Sequence, residues 1–223
     1  MKIKIDEHTT KDPLALMGKM AGECWGAPTN NTEKNIARAK DCITSGHGRV
    51  LEYPQVYFVV SDISARLTRE IFTHIGGLPT RLQASTRYID YQSGFDYVIP
   101  PAIAENDEAL YEYLDCMNYI TASQKKLEKL GIPREDIAME LPLAMTTVVS
   151  YRTNARHLID MSRVRDCNRA YWEYQAFMQL LEEVLSDYSD EWKYIIHNCF
   201  HAKCEEYGFC TEKNSCGRFP KRG

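Results

Sequence analysis

A chain of 223 residues, 44% hydrophobic and 26% charged, can bury a core of its own as one domain or at most two. Its net charge of -4 offers no counterion-releasing basic surface, which excludes a nucleic-acid polymer as main partner but not a small phosphorylated ligand held by a few arginines. The charged start Met1-Lys2-Ile3-Lys4 has no apolar leader, no apolar run reaches membrane-spanning length, and eight cysteines without a secretory signal read as reduced thiols; the expectation is a cytoplasmic protein without membrane contact.

In chain order, residues 12 to 44 read as two helices. Pro13 lies near the first start, with Leu14, Leu16, Met17 and Met20 on one side, and Asn30-Asn31-Thr32 caps a second stretch ending near Cys42. The β-branched and aromatic run Val50 to Val60 predicts a strand. Ile63 to His74 predicts a helix with Arg66, Glu70 and His74 on one face, broken by Gly76-Gly77-Leu78-Pro79. Ser85 to Tyr91 reads as a second strand, followed by a polar loop through Ile99-Pro100-Pro101. A helix from about Glu105 to Leu130 stops at Gly131 and Pro133, and another from Arg134 or Glu135 runs into Leu141-Pro142. Asn154 opens the longest helical region, to about Leu185. No repeat or low-complexity tract interrupts this α+β pattern, in which helices dominate.

The segment from Asn154 to Arg165, continuing through Arg169 and Glu173, is the most informative. At about 100° per residue, Arg156 and Arg163 share one face while Arg165 and Arg169 fall on the opposite one. Two readings stay open: faces salt-bridged to Asp160, Asp166 and Glu173, or a helix that serves two bound anions or two subunits. Gly46-His47-Gly48 before the first strand permits close backbone approach to a ligand. His74, Arg81, Ser85 and Arg87 surround a glycine-rich turn suited to phosphate, although the ending of a Walker loop is absent. No nucleophile motif occurs, and Cys167 reads as a packed thiol inside the long helix, so chemistry would come from a cofactor.

Taken together, from about Gly46 to Gln175 the chain resembles the flavin-dependent thymidylate synthases (ThyX). The matching blocks are Gly46-His47 with Leu51-Glu52, then Ile63-Ser64-Ala65-Arg66 leading to His74, and Ser85-x-Arg87-Tyr88. Leu141-Pro142-Leu143, Asn154-x-Arg156-x-Leu158, Arg165, Ala170 and Trp172-Glu173 follow in register. The resemblance implies a single-domain ThyX-like fold of long helices packed with a small, mostly antiparallel sheet, assembled as a homotetramer. It implies FAD-dependent methylation of dUMP to dTMP, with NADPH and methylenetetrahydrofolate as co-substrates. By matched position His47, His74, Asn154 and Arg156 would bind FAD, with Arg169 a further candidate for the same cofactor. Ser85, Arg87, Arg165 and Glu70 would hold the nucleotide, with Arg165 and Ser85 as catalytic residues.

Departures from the family pattern are Thr73-His74-Ile75 where R-H-R is usual, two extra residues before Ser85, Glu70 for a glutamine and Ala138 for an arginine. Arg69, Arg81 or Arg152 could compensate, and other readings are a related enzyme acting on UMP or an inactive nucleotide-binding homologue. The expected organisation is an enzyme domain over residues 1–195 and a Cys-rich tail over 196–223. In that tail Cys199, Cys204, Cys210 and Cys216 suit either a structural zinc or reduced packed thiols.

Overall fold

Alternating burial along Gln55–Ser64 and Thr146–Asn154 makes these two segments the central strands of a four-stranded sheet. The computed structural model describes residues 1–89, 91 and 94–222. Its elements are β1 (Lys2–Ile5), α1 (Pro13–Cys24), α2 (Thr32–Thr44), β2 (Gln55–Ser64), α3 (Ala65–Phe72) and β3 (Thr80–Gln83), followed by α4 (Pro101–Ala104), α5 (Asp107–Lys129) and α6 (Arg134–Ile137). Then come β4 (Thr146–Asn154), α7 (Ala155–Arg165), α8 (Trp172–Tyr188), α9 (Asp190–Cys199) and α10 (Lys203–Tyr207). The strand order is β1-β2-β4-β3. Backbone bonds from Asp6 to Tyr57 and from Thr10 to Gln55 set β1 antiparallel to β2; bonds from Ala65 to Met145 and from Ala155 to Pro54 do the same for β2 and β4. Among the described residues no helix is long and apolar enough to cross a membrane.

Contacts group the chain into two compact units with interleaved segments. The first, apart from Met1, comprises Val60–Ile71 and Leu82–Val149; the second comprises Lys2–Val59, Phe72–Arg81 and Ser150–Gly223. In the first unit Ile63, Leu67 and Ile71 are buried, and Phe95, Met117 and Met145 form a cluster rimmed by Tyr91, Tyr97 and Tyr113. Helix α5 is N-capped by Asn106, whose side chain accepts from the Ala109 amide, yet along its 23 residues it buries only Met117 and Gln124. Tyr111 and Tyr119 stand out from it, 70% and 73% exposed.

The second unit holds the larger aromatic core, including fully buried Trp192, Tyr174, Phe58 and Phe177. Phe58 stacks on Tyr151 at 5.2 Å between centroids, and the Trp192 indole donates to the Thr10 carbonyl at 2.8 Å. Helices α1 and α2 approach so closely that a Cβ on Gly18 would collide with the Asn35 carbonyl. The segment after residue 195 groups with this unit.

Several expected elements differ. Strand β4 was not anticipated, although Thr147, Val149, Tyr151 and Thr153 alternate inward as a half-buried strand requires. The strand expected over Ser85 to Tyr91 is a turn at Ser85 to Tyr88, with the short β3 before it, and Asp90 lies outside the described residues. The helix expected from Asn154 to Leu185 breaks between Arg165 and Trp172. There the Asp166 amide closes the last turn of α7 on the Ser162 carbonyl at 2.9 Å, the Ala170 amide closes a separate turn on the Cys167 carbonyl at 2.8 Å, and the Arg218 guanidinium reaches the Asp166 carbonyl at 3.5 Å just beyond the helix.

Candidate active site

Asn154 ends β4 in extended backbone, and its side-chain oxygen accepts from the His157 amide at 2.9 Å, which starts α7. The Gly76-Gly77 turn packs against this start. Gly77 has φ 67°, and a Cβ there would stand 3.0 Å from both the Asn154 side-chain nitrogen and the His157 Cβ. The His157 ring is buried, with Nε2 3.2 Å from the Tyr151 hydroxyl and Nδ1 lacking a hydrogen-bond partner among the described residues. Burial pulls the His157 pKa below its ordinary value and pushes the Tyr151 phenol up to about 12, so a neutral imidazole faces a protonated phenol.

At the other end of α7, Arg165 donates from Nε to His74 Nε2 at 3.0 Å, and its guanidinium lies over the Tyr174 ring at 4.3 Å. An accepting Nε2 requires that atom of His74 to be unprotonated. The His74 ring meets Tyr174 edge-on at 5.7 Å and His157 at 6.3 Å. Arg81 fixes the loop that presents His74: its Nη1 donates to the Phe72 and His74 carbonyls at 2.9 and 3.2 Å while the guanidinium covers the Phe72 ring. Arg152 bonds the Thr80 hydroxyl at 3.0 Å. Arg81 and Arg152 therefore brace the turn between Phe72 and Arg81.

His74, Asn154 and Arg165 are thus gathered with His157, Tyr151 and Tyr174, three residues the sequence reading left out. His157 sits beside Arg156 within the matched block, and the Thr147 to Thr153 alternation could have revealed the inward face of Tyr151.

Arg156 points elsewhere, bonding Glu52 at 3.0 Å in a half-exposed pair; a Cβ on Gly48 would lie 3.9 Å from its guanidinium, next to exposed His47. Arg163 pairs with Glu206 and lies 3.7 Å from Asp160. The carboxylate-paired reading holds for these two arginines, mostly through partners other than the nearby carboxylates. Arg169 is not on the helix as expected: it is exposed in the turn between α7 and α8.

Glu70, Ser85 and Arg87 belong to the first unit. Glu70 is half-buried on α3. The Ser85 hydroxyl accepts from the Arg87 amide at 3.3 Å, a local hydroxyl turn. Exposed Arg87 lies 3.5 Å from Glu135. In the same unit Thr86, Tyr91, Gln124, Arg134, Ala138 and Leu141 line a cavity of about 180 Å³. It is a predominantly apolar hollow with one cation, Arg134, and one anion, Glu128, at its wall among the described residues.

The tail corrects the metal expectation. Among the described residues no three His, Cys, Asp or Glu side chains stand together as a metal set, and Cys199, Cys204, Cys210 and Cys216 are not one. Cys199 is buried at the end of α9, where burial pushes its thiol up to about 11, as for a packed apolar side chain. Cys167 is not inside a helix but in the turn after α7.

Comparison with known proteins adds an independent line. Residues 6–188 match the family model described as thymidylate synthase complementing protein. The flavin-dependent thymidylate synthase of Nitratidesulfovibrio vulgaris is 30% identical over 99% of this chain and 96% of its own. That of Geobacter sulfurreducens is 28% identical over 79% of this chain and 78% of its own. The crystal structure of Helicobacter pylori ThyX, complexed with FAD and dUMP, superposes with a TM-score of 0.71 over 90% of this chain and 100% of that one, at 18% identity, and so shares its fold. The chain belongs to the flavin-dependent thymidylate synthase family.

Proposed function

We propose that this chain catalyses the FAD-dependent reductive methylation of dUMP to dTMP, with methylenetetrahydrofolate as one-carbon donor and NADPH as reductant. What carries the reading is the Arg165–His74 contact: in a chain of this family, it sets a cation beside a neutral imidazole at the end of a capped helix.

The residues present fit a flavin cofactor in two respects. The Gly76-Gly77 turn passes so near Asn154 and His157 that a Cβ on Gly77 would stand 3.0 Å from both side chains, and the buried His157 Nδ1 beside it is able to meet a polar group. His47 and Arg156 are exposed beside Gly48, where an anion could displace Glu52 from a half-exposed pair. His47, His74, Asn154, Arg156 and Arg169 would hold FAD. Bound there, FAD supplies hydride chemistry between NADPH and the one-carbon unit.

The remaining roles fall to side chains. Arg165 binds oxygens of the nucleotide with a guanidinium already oriented by His74 and Tyr174, so little ordering entropy is lost on binding. Ser85 and Arg87 take the phosphate, hydroxyl and guanidinium both being suited to its oxygens, and Glu70 accepts hydrogen bonds from the same ligand. No step needs a protein nucleophile. A homotetramer is part of this reading, supported by the bare face of α5 with Tyr111 and Tyr119.

The test is direct. Purified protein, as isolated or reconstituted with FAD, should show flavin absorbance that bleaches with NADPH, and should convert dUMP and methylenetetrahydrofolate to dTMP by mass detection. Protein that neither holds FAD nor makes dTMP would sink the reading, and a scattering mass well below four chains would sink the tetramer.

A further inference from the structure

The arginine missing at Ala138 has a stand-in one helical turn earlier. Arg134 and Ala138 both line the cavity of about 180 Å³ in the first unit. The Ile137 amide bonds back to the Pro133 carbonyl at 3.1 Å, and the chain runs on from α6 as a 3-10 turn over Ala138–Glu140. Residues four apart on a helix stand one above the other, and a long side chain leans toward the N-terminal end. An arginine at 138 would lean back over the turn that carries Arg134, so the two positions can serve the same place. We propose that Arg134 binds the phosphate of the nucleotide substrate in this cavity, in place of the arginine usual at position 138.

The neighbouring turn supports the assignment. Thr86 lines the same cavity from the turn that holds Ser85 and Arg87, the side chains assigned to the phosphate. The Arg134 guanidinium reaches the Tyr88 carbonyl at 3.5 Å, and Glu135 beside it lies 3.5 Å from Arg87. The first two residues of α6 thus join the helix to the hydroxyl turn. The three arginines expected to compensate are placed otherwise. Arg69 does not line the cavity, and Arg81 and Arg152 brace the turn between Phe72 and Arg81 in the second unit.

Charge on the wall explains why this cation matters. Among the described lining residues the other charged side chain is Glu128, which repels a phosphate. A guanidinium at Arg134 offsets that carboxylate and offers paired N–H donors to two phosphate oxygens, a geometry that an ammonium cannot match. The Thr86 hydroxyl can add a further donor. Tyr91, Ile132 and Leu141 supply apolar wall, better suited to a sugar or base than to a dianion.

The inference rests on dUMP being the substrate, so binding to full-length, FAD-loaded protein is measured with dUMP, deoxyuridine and inorganic phosphate. Arg134→Ala should weaken dUMP roughly tenfold and leave deoxyuridine unchanged, because only the phosphate loses a partner. Inorganic phosphate should displace dUMP from wild type at lower concentration than deoxyuridine affinity would allow a neutral competitor, and should lose that advantage in Arg134→Ala. Arg134→Lys should recover part of the dUMP affinity, and Arg134→Ala combined with Ala138→Arg most of it. Should Arg134→Ala fail to fold, Arg134→Gln takes its place, keeping a donor for the Tyr88 carbonyl without the charge. Wild-type dUMP affinity in the variant, or no recovery from Ala138→Arg, overturns the site. So does an equal loss of dUMP and deoxyuridine, which would mark Arg134 as a brace for the Tyr88 turn. Wild-type protein that binds no dUMP overturns the proposed reaction together with this site, whereas protein that makes dTMP with Arg134 dispensable for dUMP overturns this site alone.

Discussion

The cluster around His74 and Arg165 and the turn around Ser85 and Arg87 draw on similar residue types, yet the chain fixes them to very different degrees. Arg165 has its Nε on His74, its plane on Tyr174, and a helix capped at Asn154 behind it. Arg87 is exposed, with a local bond to Ser85 and a loose ion pair to Glu135. The contrast teaches that the first cluster is organised before any ligand arrives, whereas the second reaches its working geometry only when a ligand, or in the proposed tetramer another copy, holds it.

If that is right, Arg165→Ala gives the largest effect. A charge-assisted hydrogen bond is worth roughly 1.5–3 kcal/mol, so the dissociation constant for dUMP should rise roughly ten- to a hundredfold. Bound FAD should be unchanged; loss of FAD with nucleotide affinity intact would reverse the assignment of the helix ends. Gly77→Ala comes next. It forces a Cβ into left-handed backbone and to within 3.0 Å of Asn154 and His157, and should cost about 2 kcal/mol in urea unfolding. A neutral result there would mean that the turn does not brace the cluster.

The anchoring of α7 at its C-terminal end should show in pH dependence. Burial, then the neighbouring Glu182, pushes the Asp166 carboxyl up to about 8, and burial raises Glu182 as well. The folded chain therefore keeps a proton that the unfolded chain loses near the ordinary carboxylate pKa of about 4. With more protons bound in the fold, stability falls as pH rises across that window. Tm should drop by roughly 3–6 °C between about pH 5 and about pH 8, and Asp166→Asn, which keeps a hydrogen bond to Glu182 without the charge, should flatten the slope. An unchanged slope would show that the pair is not the source. Asn154→Ala removes the other anchor and should cost about 1 kcal/mol by loss of the cap, read in the same unfolding assay.

The sequence made some of this legible and hid the rest for physical reasons. Helix α5 announced itself through Asn106, Gly131 and Pro133, which act locally, and the family blocks around Asn154 and Ser85 stood in readable order. Strand β4 was missed although its alternation was present, because Ser150, Arg152 and Asn154 made the segment look polar. The break after Arg165 was not read; the Arg218 side chain that reaches the Asp166 carbonyl there comes from far along the chain. The same distance concealed Cys167 as a neighbour of the tail cysteines, and helical phase alone paired Arg156 with Arg163 correctly while placing Arg169 on a helix it does not join.

The smallest effect is the sharpest test of the opening contrast. Arg87→Ala removes an exposed guanidinium whose ion pair with Glu135 spans 3.5 Å, with both side chains more than 60% exposed, 67% and 62%. Such pairs contribute between about 0 and 1 kcal/mol, so unfolding should change by less than about 0.5 kcal/mol. Nucleotide affinity should nevertheless weaken severalfold, and more at low ionic strength, because screening already reduces an exposed charge in salt. Lost stability on the scale of the Gly77 variant would mean that Arg87 is built into the fold as firmly as Arg165. The two regions would then differ only in exposure, and the turn would need no ligand or second copy to organise it.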